Sequence, residues 1–149
     1  MKPVALLIAA VALMGSTLIA MPASSATPDE IIAARRANQK RVNELVKMVD
    51  GAVKANAAVG SVLDQVKEID DRTHLIKGYF PAGTETGDTK ARPEIWSNRA
   101  GFDAAADRYV AEFDKLLVIA KAGDSAAFGA QWATATSTCG ACHRDFRNK

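Results

Sequence analysis

The sequence predicts an all-α protein, folded as an antiparallel four-helix bundle. Apolar residues recur at three- and four-residue steps through four stretches, and no stretch shows the two-residue alternation of a β-strand. Two short links and one longer connection rich in Gly, Pro and Thr separate these stretches. Amphipathic helices joined by short links pack as antiparallel neighbours, and four of them make a bundle.

The first 26 residues predict a secretory signal peptide. A basic start at Lys2 leads into an apolar run to Ala20, and small residues end the segment at Ala26. The remaining residues, 27–149, are short enough to form one domain, which we expect to be the bundle. An exported protein of this kind is expected in a bacterial periplasm.

The alternative interpretation of the leader is a membrane anchor. Its apolar run is interrupted by Gly15, Ser16 and Thr17 and is short of the roughly 20 residues that a membrane span needs. The formal net charge is only +2, so the composition indicates neither nucleic acid nor an anionic membrane as a partner. We expect no membrane association after cleavage of the signal.

The first helix of the bundle is predicted over about 28–53. Thr27 suits the N-cap and Glu30 the third helical position, which together make a capping box. The apolar stripe of this helix also includes Arg35 and Gln39. Polar residues on a buried stripe need partners, so these two side chains lie either near an exposed end or against a bound group.

A second helix is predicted over about 58–75, joined to the first by a short link near residues 55–60. His74 falls at its end, and we expect this histidine to be a solvated surface residue.

The longer connection covers about 78–92 and precedes a third helix over about 93–122. Gly123 suits the end of that helix and Asp124 the N-cap of the next one. The fourth helix is predicted over about 125–147.

The strongest motif lies on this fourth helix, where the chain reads C-G-A-C-H from Cys139 to His143. C-x-x-C-H is the pattern of c-type haem attachment. One turn of helix presents both sulfurs to one porphyrin edge, so that each can form a thioether with a vinyl group. The adjacent His143 then supplies an imidazole nitrogen to the iron. We therefore predict one covalent haem c, held by Cys139, Cys142 and His143.

Two other interpretations of the motif are a zinc site and a redox or disulfide pair. Zinc takes about four ligands, whereas the chain has two cysteines and two histidines, and His74 is distant in sequence. A thioredoxin-like pair belongs after a strand, and none is predicted before Cys139. The alternative from a different functional class is a helical bundle that has a disulfide and binds no haem.

The chain resembles class II cytochromes c, the cytochrome c′ family. The resemblance covers nearly all of residues 27–149, and residues 80–96 and 139–147 carry its most specific stretches. It implies an antiparallel four-helix bundle with haem between the helices and a homodimer through the first two helices. It also implies electron exchange with redox partner proteins, binding of small gases such as NO or CO, and no enzymatic activity.

The resemblance also assigns roles to single residues. Cys139 and Cys142 match the thioether cysteines, and His143 matches the proximal iron ligand. Arg147, one helical turn later, matches a basic residue that covers the proximal side of the haem. Arg35 matches an arginine that pairs with a haem propionate.

The chain departs from the family on the distal side of the haem. The residue four positions after the matching arginine faces the iron, and it is a methionine in low-spin members. Here it is Gln39, or Lys40 if the register shifts by one. Met48 lies nine residues further, on the opposite helix face. We therefore expect a five-coordinate iron, with a six-coordinate electron carrier that uses a ligand such as Lys40 as the alternative.

Overall fold

The computed structural model describes residues 26–149, and the expected signal peptide falls almost entirely outside them. Four helices form the expected antiparallel bundle, and a fifth, short helix precedes the third of them. The helices are α1 Pro28–Lys54, α2 Leu63–Thr73, α3 Glu94–Ser97, α4 Arg99–Ala122 and α5 Ser125–Phe146, with 3-10 helices at Val59–Val62 and Ile76–Tyr79. No helix between residues 26 and 149 is both long and apolar enough to cross a membrane.

The start of α1 is fixed by the predicted capping box. The Thr27 N–H donates to Glu30 Oε2 at 2.7 Å, and the Glu30 N–H donates to Thr27 Oγ1 at 3.3 Å. These two bonds satisfy backbone donors that would otherwise have no partner in the first turn. From there the buried stripe of α1 runs through Val42, Leu45 and Val49 into the bundle core.

The second helix is shorter than the sequence predicted. Residues 59–62 form a 3-10 helix, and Val62 has φ −123° and ψ 11°, outside the α-helical region. No side chain caps the N-terminus at Ala58. A tight 3-10 turn is another way to satisfy the first backbone groups, and regular α-helix starts only at Leu63.

The predicted third helix is wrong in one respect, because it breaks at Asn98. This residue has φ −117° and ψ 55°, ends α3 and serves as N-cap of α4. Its side-chain oxygen accepts from the Gly101 N–H at 3.2 Å, and a Cβ at Gly101 would lie 2.5 Å from Asn98 Nδ2. Asparagine competes with the helix for backbone donors, and Gly101 leaves the space in which it does so.

The ends of α5 are set by Asp124 and Arg147. The Asp124 carboxylate accepts from the Ala127 N–H at 3.0 Å, as the sequence predicted for an N-cap. The helix stops one residue earlier than expected, because Arg147 is extended and forms an antiparallel β-bridge with Ala91. The end of α5 is thereby joined to the segment before α3.

The core has two parts. The larger cluster fills the bundle, with Phe113, Leu116 and Trp132 among its buried members. The smaller cluster includes Phe80, Phe102 and Phe146 and lies beside the long connection. This second cluster supports the wall of a cavity described below.

A charged network joins α1 to α2. Glu68 accepts from Arg41 Nε and from Arg72 Nε, both at 2.9 Å, and Arg72 Nη1 donates to Asn38 Oδ1 at 3.0 Å. The two guanidinium groups lower the pKa of Glu68 to about 2. The network therefore links α1 and α2 through polar side chains in addition to their shared apolar core.

We predict opposite effects for two glycine substitutions near the start of α5. Gly123 has φ +73°, so Gly123→Ala should lower the free energy of unfolding by about 1 kcal/mol, because L-residues are strained in that conformation. Gly129 lies inside the helix with nothing within 4 Å of an added Cβ. Gly129→Ala should raise the free energy of unfolding by about 0.5–1 kcal/mol. Urea unfolding followed by circular dichroism measures both changes in the free energy of unfolding. Two changes in the same direction would contradict the prediction.

Candidate functional site

A cavity of about 650 Å³ opens between α1, the connection after α2 and the end of α5. Its size lies within the range of about 300–1,000 Å³ that is typical of sites for small molecules and cofactors. One wall is apolar and comes from the smaller core cluster, with Phe80, Ile95, Phe102 and Phe146. The facing wall is polar and comes from the side of α1 that includes Gln39.

The cavity brings together five of the six residues that the sequence predicted for the site. Arg35, Gln39, Cys142, His143 and Arg147 all line it. More than 100 positions separate the α1 residues from those on α5, so only the folded bundle places them side by side.

The sixth predicted residue, Cys139, lies just outside the cavity lining. It is half-buried and packs against the larger core cluster, whereas Cys142 packs against the smaller one. The two cysteines do not form a disulfide with each other. Burial raises the pKa of both thiols, and for Cys142 the negative charge of Asp145 adds to the effect.

Arg35 is buried, with 4% of its surface exposed. Its guanidinium donates to the Tyr79 and Thr84 carbonyl oxygens, both at 3.3 Å, and to Thr89 Oγ1 at 2.8 Å. It also lies 4.5 Å from the centre of the Phe80 ring. Arg35 therefore holds the segment from 79 to 89 to α1 at three separate points.

These partners of Arg35 are all neutral. No carboxylate within residues 26–149 forms an ion pair with it, and burial lowers the pKa of its guanidinium. Buried charges are normally paired. A guanidinium that lines the cavity with only neutral partners therefore fits an anionic ligand group, such as the propionates of haem.

The charge of the cavity lining points to the same kind of ligand. Six basic side chains line it against two acidic ones, Glu44 and Asp88. The basic ones are Arg35, Arg36, Lys40, Lys47, Lys90 and Arg147.

His143 lies in the last turn of α5. His143 is exposed overall, and desolvation of its ring together with the charge of Arg147 lowers its pKa, which favours the neutral imidazole that can donate a lone pair to a metal. Arg147 is exposed, and its backbone N–H donates to the His143 carbonyl oxygen at 3.2 Å. Arg147 thus lies one turn from His143, as predicted, but at the extended residue that follows the helix.

The polar wall of the cavity holds Gln39 half-buried and Lys40 exposed. Within the described chain no hydrogen bond engages the Gln39 amide, which leaves its donor and acceptor atoms available to a ligand. Met48 is 51% exposed and does not line the cavity.

Sequence reasoning missed several residues of the site. Asn43 lies one turn after Gln39 on the same wall, and its four-residue spacing from Gln39 was the available signal. Thr84 and Thr89, which hold Arg35, gave no such signal, because they follow it by about 50 positions in a segment without periodicity.

Comparison with known proteins gives consistent matches. A family model described as cytochrome C′ matches residues 30–147. The cytochrome c′ of Rhodopseudomonas palustris is 32% identical over 128 residues, which make up 80% of this chain and 83% of the relative. The cytochrome c′ of Rubrivivax gelatinosus is 42% identical over 71 residues, which make up 47% of this chain and 55% of the relative.

The fold matches a solved structure as well. A nitric oxide complex of a variant of cytochrome c prime from Alcaligenes xylosoxidans superposes with a TM-score of 0.78 and 28% identity. The match covers 84% of this chain and 98% of that chain.

We predict that Arg35 and its neighbour Arg36 differ sharply in their effect on stability. Arg35→Leu should lower the free energy of unfolding by about 2–3 kcal/mol, because buried oxygens lose a charged donor. Amides of residues 79–89 should then exchange hydrogen faster. Arg36 is exposed and pairs with exposed Asp88, so Arg36→Leu should change stability by about 0.5 kcal/mol or less. Urea unfolding and hydrogen exchange test this, and similar effects of the two variants would refute it.

Proposed function

The chain belongs to the cytochrome c′ family, and from that premise we propose that it is a periplasmic haem protein that transfers electrons and binds small gases at a five-coordinate iron. The family resemblance is confirmed, and haem c is the cofactor of this family. The observation that carries the proposal is the cavity that joins the C-G-A-C-H segment to Arg35 and Gln39.

We propose that the haem is held covalently at the end of α5. Each thiol of Cys139 and Cys142 would add across one vinyl group, and a nitrogen of His143 would bind the iron. Cys139 and Cys142 lie three residues apart on one helix, so their sulfurs project from the same face. When bound, the haem supplies an iron that changes oxidation state and binds diatomic gases.

The basic residues would bind and shield the cofactor. Arg35 would pair with a propionate, which gives its buried charge the anionic partner that its neutral neighbours do not provide. Arg147 would cover the side of His143, since it already lines the cavity next to that imidazole.

Gln39 would face the opposite, distal side of the haem. A neutral carboxamide is a poor iron ligand but a good hydrogen-bonding group, so it would leave the iron five-coordinate and hold a water molecule or a bound gas. The nitric oxide complex solved for an Alcaligenes xylosoxidans relative supports gas binding here.

A six-coordinate electron carrier is the second candidate. Lys40 lines the cavity next to Gln39, and a deprotonated lysine amine could bind the iron. Methionine ligation has less support, because Met48 is exposed outside the cavity.

The cellular setting of the proposal follows from the sequence. The leader over residues 1–26 would direct export to the periplasm, where redox partner proteins would exchange electrons with the haem. We propose a homodimer through α1 and α2 and no catalytic reaction. Sedimentation analysis tests the dimer directly.

We predict that both cysteines carry the haem. Cys142→Ala should leave at most one thioether, and replacement of both cysteines by alanine should leave haem that acidified organic solvent extracts. Ser137→Ala, on the exposed side of α5, serves as the control and should keep its haem. Extraction of haem from the unchanged protein would show that the attachment is not covalent.

We predict that the reduced protein is high-spin and binds carbon monoxide. Gln39→Leu should change the release rate of the gas by about fivefold, which corresponds to one hydrogen bond of about 1 kcal/mol, with little change in stability. Gln65→Leu, on α2 away from the cavity, is the matched control. The Soret band follows binding and release.

The same spectra separate the two candidates. A low-spin ferrous spectrum that the gas leaves unchanged would contradict the five-coordinate proposal. If Lys40→Ala then made the protein high-spin, the lysine-ligated carrier would be the correct function.

A further inference from the structure

A second cluster of metal-binding side chains lies on α2 and α4, apart from the haem cavity. Asp70 lies on α2, His74 is the C-cap residue four positions later, and Asp114 faces them from α4. Each offers one ligand atom, and the three atoms lie within 4.8 Å of one another. None of the three residues lines the cavity.

Two members of the cluster are open to solvent and already in contact. His74 Nε2 lies 2.8 Å from Asp114 Oδ1, and the two side chains are 52% and 50% exposed. The sequence predicted a solvated surface histidine, and His74 is half-exposed but paired with a carboxylate. Their exposure lets an ion reach both side chains from solvent.

The third member, Asp70, is the independent observation that points to a ligand. It is only 7% exposed, and its Oδ1 has no hydrogen-bond partner among residues 26–149. Buried polar atoms are nearly always paired, so an orphan oxygen requires an ion, a water molecule or a functional role. Burial and the nearby charge of Asp114 raise the pKa of Asp70, and a bound cation would favour its ionised form.

The donor set selects a class of metal. One imidazole and two carboxylates suit zinc and copper, whereas calcium takes six to eight oxygens and magnesium keeps several waters. Three protein ligands with a water in the fourth position form a common zinc arrangement. The four-residue spacing of Asp70 and His74 puts both on one helix face, and α4 supplies the third donor.

We propose that Asp70, His74 and Asp114 form a binding site for a divalent transition-metal ion of the zinc and copper class, distinct from the haem. The ion would bridge α2 and α4 at the surface of the bundle. This proposal does not depend on how the haem iron is coordinated.

Calorimetric titration of the haem-loaded protein with zinc chloride tests the site. We expect one ion per chain. His74→Ala and Asp114→Asn should each weaken zinc binding by more than about tenfold, since even loss of an outer-shell partner costs roughly 10–100-fold. Asp71→Asn is the matched control, because Asp71 is the next carboxylate on α2 but pairs with Lys67 instead. The affinity of the Asp71→Asn variant for zinc should equal that of the unchanged protein.

A copper spectrum reports whether His74 binds the metal directly. If His74 only supported the fold, this spectrum would not depend on it. The electron paramagnetic resonance spectrum of one added Cu²⁺ should show coupling to a single imidazole nitrogen, and His74→Ala should abolish it. Asp70→Asn tests the buried ligand. If the Asp70→Asn variant does not fold, the zinc affinities of His74→Ala and Asp114→Asn decide whether the site exists. Zinc binding that is only millimolar, or that survives His74→Ala unchanged, would overturn the proposal.

Discussion

The buried guanidinium of Arg35 is the interaction on which the cavity depends. A charge removed from water must be satisfied by nearby dipoles or by an opposite charge, and here three neutral oxygens from residues 79–89 surround it. Those bonds order a segment that has almost no regular structure of its own. The ordered segment in turn presents Phe80 to the apolar wall. The same side chain therefore shapes the cavity and gives it a positive charge.

Features that depend on neighbouring residues were predicted well from the sequence. The capping box at Thr27, the helix end at Gly123 and the N-cap at Asp124 each involve atoms within a few residues. The break at Asn98 was missed because apolar residues continue at helical spacing on both sides of it. The spacing of apolar residues predicts which helix face is buried. It does not reveal a single residue whose side chain competes for a backbone donor and breaks the helix.

The residues of the site were predicted from local chemistry and from the family resemblance, but the contacts around them were not. The spacing of Cys139, Cys142 and His143 is a property of five consecutive positions. Periodicity placed Arg35 on a buried stripe, but its propionate role and the role of Arg147 came only through the resemblance. Their surroundings depend on contacts between distant segments. His74 shows the same limit, because its partner Asp114 lies 40 positions away on another helix, and nothing near His74 in sequence indicates a carboxylate there.

The β-bridge between Ala91 and Arg147 has a consequence for motion at the end of α5. The last turn of a helix has carbonyl groups without helical partners and normally frays. In α5 that turn contains His143, but the Phe146 carbonyl accepts from the Arg92 N–H at 3.1 Å, and the Asn148 N–H donates to the Lys90 carbonyl at 2.8 Å. Fraying therefore requires the connection to detach as well. The backbone that carries His143 is thus stiffened by a strand-like contact from a segment more than 50 residues earlier in the chain.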